Sequence, residues 1–158
     1  MIEEKKLWES ELGFDYFGTH ECSFVALGCM DFRMWEDNVE FLKKGFGIDS
    51  FDFVNLPGAG KAINESEEED IVNFSLKVAF EKHNAQGIVV INHNDCGAYG
   101  GSGKFNNPIE EKDFHKEELL KCHQIIKKRF PDKKIVLIYA EVLNDNTVQY
   151  LQFTPDKI

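Results

Sequence analysis

Four short apolar runs, each broken off by glycine, a turn signal or reactive side chains, constrain this chain more than any other feature. Gly87–Asn92 (GIVVIN) is the plainest of them, and Ser23–Gly28 (SFVALG), Phe51–Asn55 (FDFVN) and Lys133–Val142 (KKIVLIYAEV) share its profile. Runs this short, rich in Val and Ile and without polar alternation, are strands that need cover on both faces. Strands of that kind separated by helical patterns specify an α/β fold. The expected architecture is a mostly parallel sheet of four strands plus a C-terminal edge strand, with helices on both faces.

The helices have their own signals. Asn64 with Glu67 three residues on predicts an N-cap and a helix to about Lys82, with Ile71, Phe74, Leu76, Val78, Ala79 and Phe80 as its apolar face. Pro108 opens a second helix that carries Leu119, Cys122, Ile126 and Phe130 on one side and ends before Pro131. The terminal NTVQYLQFT alternates, and its Val148, Tyr150 and Phe153 are expected on one face of the edge strand. A length of 158 residues suits one domain over residues 1–158.

Charge and cysteine content narrow the function. A formal net charge of −10 argues against nucleic acid or an anionic membrane as the main partner. No apolar run approaches a membrane span, and MIEEKKLWESELGF lacks a signal-peptide core, so a cytoplasmic location is expected. Four cysteines in a reducing compartment point to metal ligation, nucleophilic chemistry or burial rather than disulfides. Neither GAGK nor GGSGK meets the spacing of a phosphate-binding P-loop, and Gly58-Ala59-Gly60 runs on to Ile63 where a dinucleotide fingerprint needs glycine.

Two segments keep their chemical interest. Cys29 follows the first strand in CMDFR; His93 and Cys96 follow the third in HNDCG. Ligands of open α/β sheets bind beyond the carboxyl ends of strands where the strand order reverses. If these strands are neighbours there, two thiolates and an imidazole converge, a donor set that suits Zn²⁺ and leaves a fourth position open. Asp31 and Arg33 alternate with Cys29, so an extended stretch projects all three to one side, with Arg33 holding Asp31 ionised. Asp95 either orients a ligand or the loop, or caps the turn that follows. Gly97, Gly100 and Gly101 supply backbone freedom around that loop. Cys22 and Cys122 are expected in the core, and His20, His83, His115 and His123 at the surface or on helices.

CMDFR followed by HNDCG resembles the paired signatures of the β-class carbonic anhydrases, Cys-x-Asp-x-Arg and His-x-x-Cys-Gly, and FVNLPGAG resembles that family's loop after the second strand. The resemblance covers about Ser23 to Tyr139. It implies that Cys29, His93 and Cys96 ligate zinc and that Asp31 and Arg33 form the catalytic dyad. The implied reaction is reversible hydration of CO₂ to bicarbonate and a proton by a zinc-bound hydroxide, in a homodimer or higher homo-oligomer. Phe32, Val54, Pro57 and Ala59 depart from the family pattern. They motivate one alternative, hydrolysis of carbon disulfide or carbonyl sulfide at the same site; a second, from another class, is a non-catalytic zinc-binding protein that retains the fold.

Overall fold

The computed structural model describes residues 5–155. The readings that take in residues 1–4 and 156–158, of a single domain over 1–158 and of the chain's start, extend outside the described residues. Five strands, β1 (Phe24–Cys29), β2 (Phe51–Leu56), β3 (Gly87–His93), β4 (Lys134–Val142) and β5 (Val148–Phe153), form one sheet in the order β2-β1-β3-β4-β5. β1 pairs in parallel with both β2 and β3, and β3 with β4; β5 closes the sheet antiparallel to β4. The four-plus-one sheet expected from the sequence is therefore present.

Burial explains why the central strands read as unbroken apolar runs. Every residue of β3 is buried. Ile88 and Val90 face one layer, built with Leu76 and Phe80 of α3 (Ile71–Glu81) and Leu119, Cys122 and Ile126 of α4 (Pro108–Arg129). Val89 and Ile91 face the other, built with Met34, Leu42 and Ile48 around α1 (Trp35–Glu40) and the π-helical turn Phe41–Gly45. A strand clad on both sides has no solvent face on which to alternate. A further short helix, α2 (Gly60–Asn64), packs between β3 and α4. No helix among the described residues is long and apolar enough to cross a membrane.

Three local expectations fail for identifiable reasons. Asn64 ends α2 instead of capping α3, which starts at Ile71 after Asp70. Arg129 donates to the Ser66 carbonyl (2.8 Å) and Asn73 Nδ2 to that of Glu67, so these carbonyls are drawn into a side-chain network and the acidic run forms a turn. Ile71 and Phe74 are exposed, and the inward stripe of α3 is Val72, Asn73, Leu76, Ala79 and Phe80. In β5, Val148 and Tyr150 pack on the α1 side, but Leu151 and Phe153, at odd positions, alternate to the α3/α4 side, so the edge strand uses both faces.

The topology places the site. From β1 the chain moves outward to β2 on one side; from β3 it moves outward to β4 on the other. The strand order reverses between β1 and β3, whose last residues are Cys29 and His93.

Candidate metal centre

At that reversal Cys29 and Cys96 bring their Sγ atoms to 3.8 Å. With His93 they form a buried cluster whose donor atoms all lie within 4.8 Å of one another. A disulfide needs about 2.05 Å between sulfurs. A tetrahedral ion with Zn–S bonds of about 2.3 Å sets its sulfurs roughly 3.8 Å apart, so the observed spacing fits zinc.

His93 supplies the second indication. Its Nδ1 lies 2.7 Å from the Asn94 carbonyl oxygen, which can only accept, so Nδ1 carries a hydrogen. Nε2 is buried and has no hydrogen-bond partner among the described residues. An imidazole fixed at one nitrogen and vacant at the other is the form that ligates a metal. Burial opposes charging the ring, but the Cys29 sulfur beside it carries the His93 pKa up overall.

The two sulfurs share their charge unequally. The Cys96 thiol, the neighbouring His93 ring and the backbone N–H groups of Gly58 and Asp31 lower the Cys29 pKa against the opposing effect of burial. The Cys29 thiolate, together with burial, pushes Cys96 up. Backbone N–H groups of Ala98 and Tyr99 act in the opposite sense on Cys96. A dication removes the conflict, since it favours thiolate at both positions.

Asp31 and Arg33 meet as expected, though not along an extended stretch. The chain turns directly after β1: Met34 N–H donates to the Asp31 carbonyl and Arg33 N–H to Asp31 Oδ1, each at 3.0 Å. Through that turn Arg33 Nε reaches Oδ1 at 2.9 Å and NH2 reaches Oδ2 at 2.6 Å, a fork on the carboxylate. The guanidinium holds the Asp31 pKa down at about 2. Arg33 also donates to Asp95 Oδ2 (3.1 Å) and to the Asp95 carbonyl (3.2 Å). Asp95 accepts Ser102 N–H at 3.1 Å as well, so it orders the loop rather than capping the turn at Gly97, and it receives the arginine, which the sequence reading did not foresee.

Three residues around the site escaped the sequence reading. Asn92, buried in β3, accepts Gly60 N–H at 3.0 Å and donates to the Tyr99 hydroxyl. A Cβ at Gly60 would stand 3.0 Å from that Asn92 oxygen, so the close approach favours glycine. Glu111, buried on α4, accepts Asp95 N–H (2.8 Å) and the Ser102 hydroxyl (2.7 Å). His115, expected at the surface or on a helix, is on α4 but 0% exposed, beside Asn92 and Tyr99. The available signal was helical spacing: Glu111 and His115 extend the Leu119–Cys122–Ile126 stripe by two turns toward the site. Cys122 is buried in the core, whereas Cys22 is half-buried at the opposite end of β1.

A cavity of about 340 Å³ opens beside the cluster, lined by Arg33, Met34, His93, Asp95, Val142 and Val148 among others. Polar and apolar walls meet in it.

Residues 19–150 match the family model described as "Putative carbonic anhydrase". The chain belongs to this carbonic anhydrase family. It is 30% identical over 142 residues to an uncharacterized protein of Rickettsia bellii, covering 85% of this chain and 87% of that one. A protein of Rickettsia conorii is also 30% identical over 142 residues, covering 85% of this chain and 76% of the other. Among solved structures, β-carbonic anhydrase isoform I of Trichomonas vaginalis superposes with TM-score 0.57 at 14% identity, over 92% of this chain and 87% of that chain. β-Carbonic anhydrase CafD of Aspergillus fumigatus gives 0.56 at 11% identity, over 89% and 94%. Identities this low establish a shared β-carbonic-anhydrase-like fold, and the chain is a divergent member.

Proposed function

We propose that this carbonic anhydrase family member catalyses the reversible hydration of CO₂ to bicarbonate and a proton at a zinc ion held by Cys29, His93 and Cys96. The observation that carries the reading is the convergence of two sulfurs 3.8 Å apart with a vacant, buried imidazole nitrogen at the strand-order reversal. Zinc, when bound there, supplies a Lewis acid that makes water a nucleophile near neutral pH.

The chain's own residues supply direction. Asp31, ionised far below neutrality, can only accept hydrogen bonds. It orients the O–H of the attacking water so that a lone pair faces the CO₂ carbon. Both its oxygens are engaged by Arg33, which holds the carboxylate in place as a hydrogen-bond acceptor beside Cys29. Met34, Val142 and Val148 give neutral, apolar CO₂ a place to rest, and Arg33 offers charge to the bicarbonate product. A net charge of −10 does not hinder CO₂ and favours escape of the anion.

The protein acts as a dimer or larger homo-oligomer in this reading. Phe32, next to Asp31, is 83% exposed, and Met30 and Trp35 flank it as exposed apolar side chains. Leu7, Trp8, Leu12, Phe14 and Phe17 are also exposed on a segment without helix or strand. A second copy that covers these groups removes apolar surface from water at the mouth of the site. Four free thiols suit a reducing compartment such as the cytoplasm.

Stopped-flow CO₂ hydration by fully zinc-loaded protein tests the activity. A rate no greater than that of free zinc rejects it; sulfide release from carbonyl sulfide or carbon disulfide in its place moves the substrate to those analogues.

A further inference from the structure

A second group of metal-ligating side chains lies at the other end of β1. Cys22 stands two residues before the strand, Asp52 is the second residue of β2, and His83 follows the C-terminal end of α3. Their sulfur, carboxylate and imidazole donors all lie within 4.8 Å of one another, and all three residues are half-buried. About 3.3 Å of rise per strand residue separates Cys22 from Cys29 by roughly 23 Å, so the two groups cannot share an ion.

We infer that Cys22, Asp52 and His83 form a second, independent binding site for a divalent transition-metal ion, with Zn²⁺ as the best match to its donors. Sulfur, imidazole and carboxylate are all zinc ligands, and one thiolate with one carboxylate balances the charge of the ion. Three protein donors at a half-exposed position leave the fourth place to water.

The main chain arranges these donors in advance. Cys22 N–H donates to the His83 carbonyl at 2.9 Å, which ties the start of β1 to the end of α3. The parallel pairing of Val25 with Asp52 fixes β2 against the same strand. Asp52 shares a strand face with Val54 and Leu56, both packed into the apolar layer that also receives Cys22. A carboxylate there departs from the apolar rule of its face.

The metal-free geometry shows what the ion displaces. His83 Nδ1 lies 2.8 Å from Asp52 Oδ2, within hydrogen-bond distance. An ion in that place needs the pair to open only to roughly 3.3 Å, the edge of a tetrahedron with bonds of about 2.0–2.1 Å. Cys22 Sγ donates to the Phe24 carbonyl at 3.3 Å, and burial raises its pKa. A metal that takes this sulfur displaces the proton it donates to Phe24. A His–Asp hydrogen bond alone has no use for the third donor.

The test is metal content. Full-length protein is stripped, reloaded with Zn²⁺ or Co²⁺, passed through gel filtration and compared with Cys22→Ser. The expected result is one metal per chain fewer in Cys22→Ser, at least a tenfold weaker second equivalent in His83→Gln and Asp52→Asn, and unchanged CO₂ hydration in all three. In a Cys29→Ser/Cys96→Ser background the remaining Co²⁺ should give a thiolate-to-metal absorption band that Cys22→Ser abolishes. This comparison holds whether or not the first centre binds zinc. Equal metal content in wild type and Cys22→Ser overturns the assignment, as does a second equivalent that saturates only in millimolar metal.

Discussion

Arg33 reaches across 62 positions of sequence to Asp95 at 3.1 Å, while its other edge grips Asp31. One guanidinium thus joins the loop that follows Cys29 at the end of β1 to the loop after β3 that carries Cys96. Lysine keeps the charge but not the fork. Arg33→Lys and Arg33→Ala are expected to retain the zinc of Cys29, His93 and Cys96 and to lose roughly 10–100-fold in kcat/KM for CO₂. Metal analysis beside stopped-flow rates checks both halves. Wild-type turnover in Arg33→Ala would remove the dyad from the mechanism.

Zinc at the first centre should also stabilise the fold, because the unfolded chain does not bring Cys29 and Cys96 together. Metal at about 1,000 times its dissociation constant adds about 4 kcal/mol. For a chain of this length that corresponds to a Tm increase on the order of 10 °C. Calorimetry with and without chelator, in a Cys22→Ser background, reads this centre alone. Cys29→Ser and Cys96→Ser should abolish the shift.

His115 gives stability a specific pH dependence. Burial, with the charge of His93 as a smaller contribution, lowers its pKa from 6.5 to about 4. A group depressed on folding is neutral in the native state while the unfolded chain takes up a proton below about 6.5. Its neutral burial therefore costs nothing above that pH and costs progressively more as pH falls toward 4. The loss amounts to about 3 kcal/mol. Urea midpoints of zinc-stripped protein at pH 7.5 and 5 should show a steeper fall for wild type than for His115→Gln. Parallel falls would mean that His115 charges in place.

The exposed apolar groups predict assembly. Trp8 and Phe17 are 83% and 94% exposed, and truncation of one large apolar side chain in an interface core costs about 2 kcal/mol or more. Phe17→Ser with Trp8→Ser should move the protein toward monomer in sedimentation analysis. A monomeric wild type at micromolar concentration would reject the oligomer.

What the sequence made legible follows from what each residue interacts with. β3 and Cys29 were legible because a strand clad on both faces must be apolar and must end where its cover ends. The donors at that end stand out as the first polar or sulfur-bearing groups after the run. α1 and its π-turn gave no clear signal, since Leu42 is their one buried apolar residue and Trp35 is exposed. The start of α3 was misplaced because capping chemistry is local, whereas Arg129, 63 residues away from Ser66, decides where those carbonyls go. Glu111 and His115 were hidden for a related reason. Polar types on an amphipathic helix read as solvent-facing until a buried partner is known.

Glu111 shows what such a partner does. Its two oxygens hold Asp95 N–H and the Ser102 hydroxyl, and Asp95 (φ 51°) sits in the left-handed region between His93 and Cys96. That conformation is costly for a non-glycine residue and persists only when its surroundings hold it. Glu111→Leu takes the acceptor from the part-buried Asp95 N–H, a cost of about 1 kcal/mol, and frees the loop that presents Cys96. Zinc affinity at the first centre should fall 10–100-fold, read by competition with a chromophoric chelator. Glu111→Gln keeps one carbonyl acceptor for Asp95 N–H, and the Ser102 hydroxyl can turn to accept from the new amide. It should therefore recover most of that affinity. Equal affinity in wild type and Glu111→Leu would show that the loop needs no clamp, and an equally weak Glu111→Gln would shift the role from hydrogen-bond acceptor to charge.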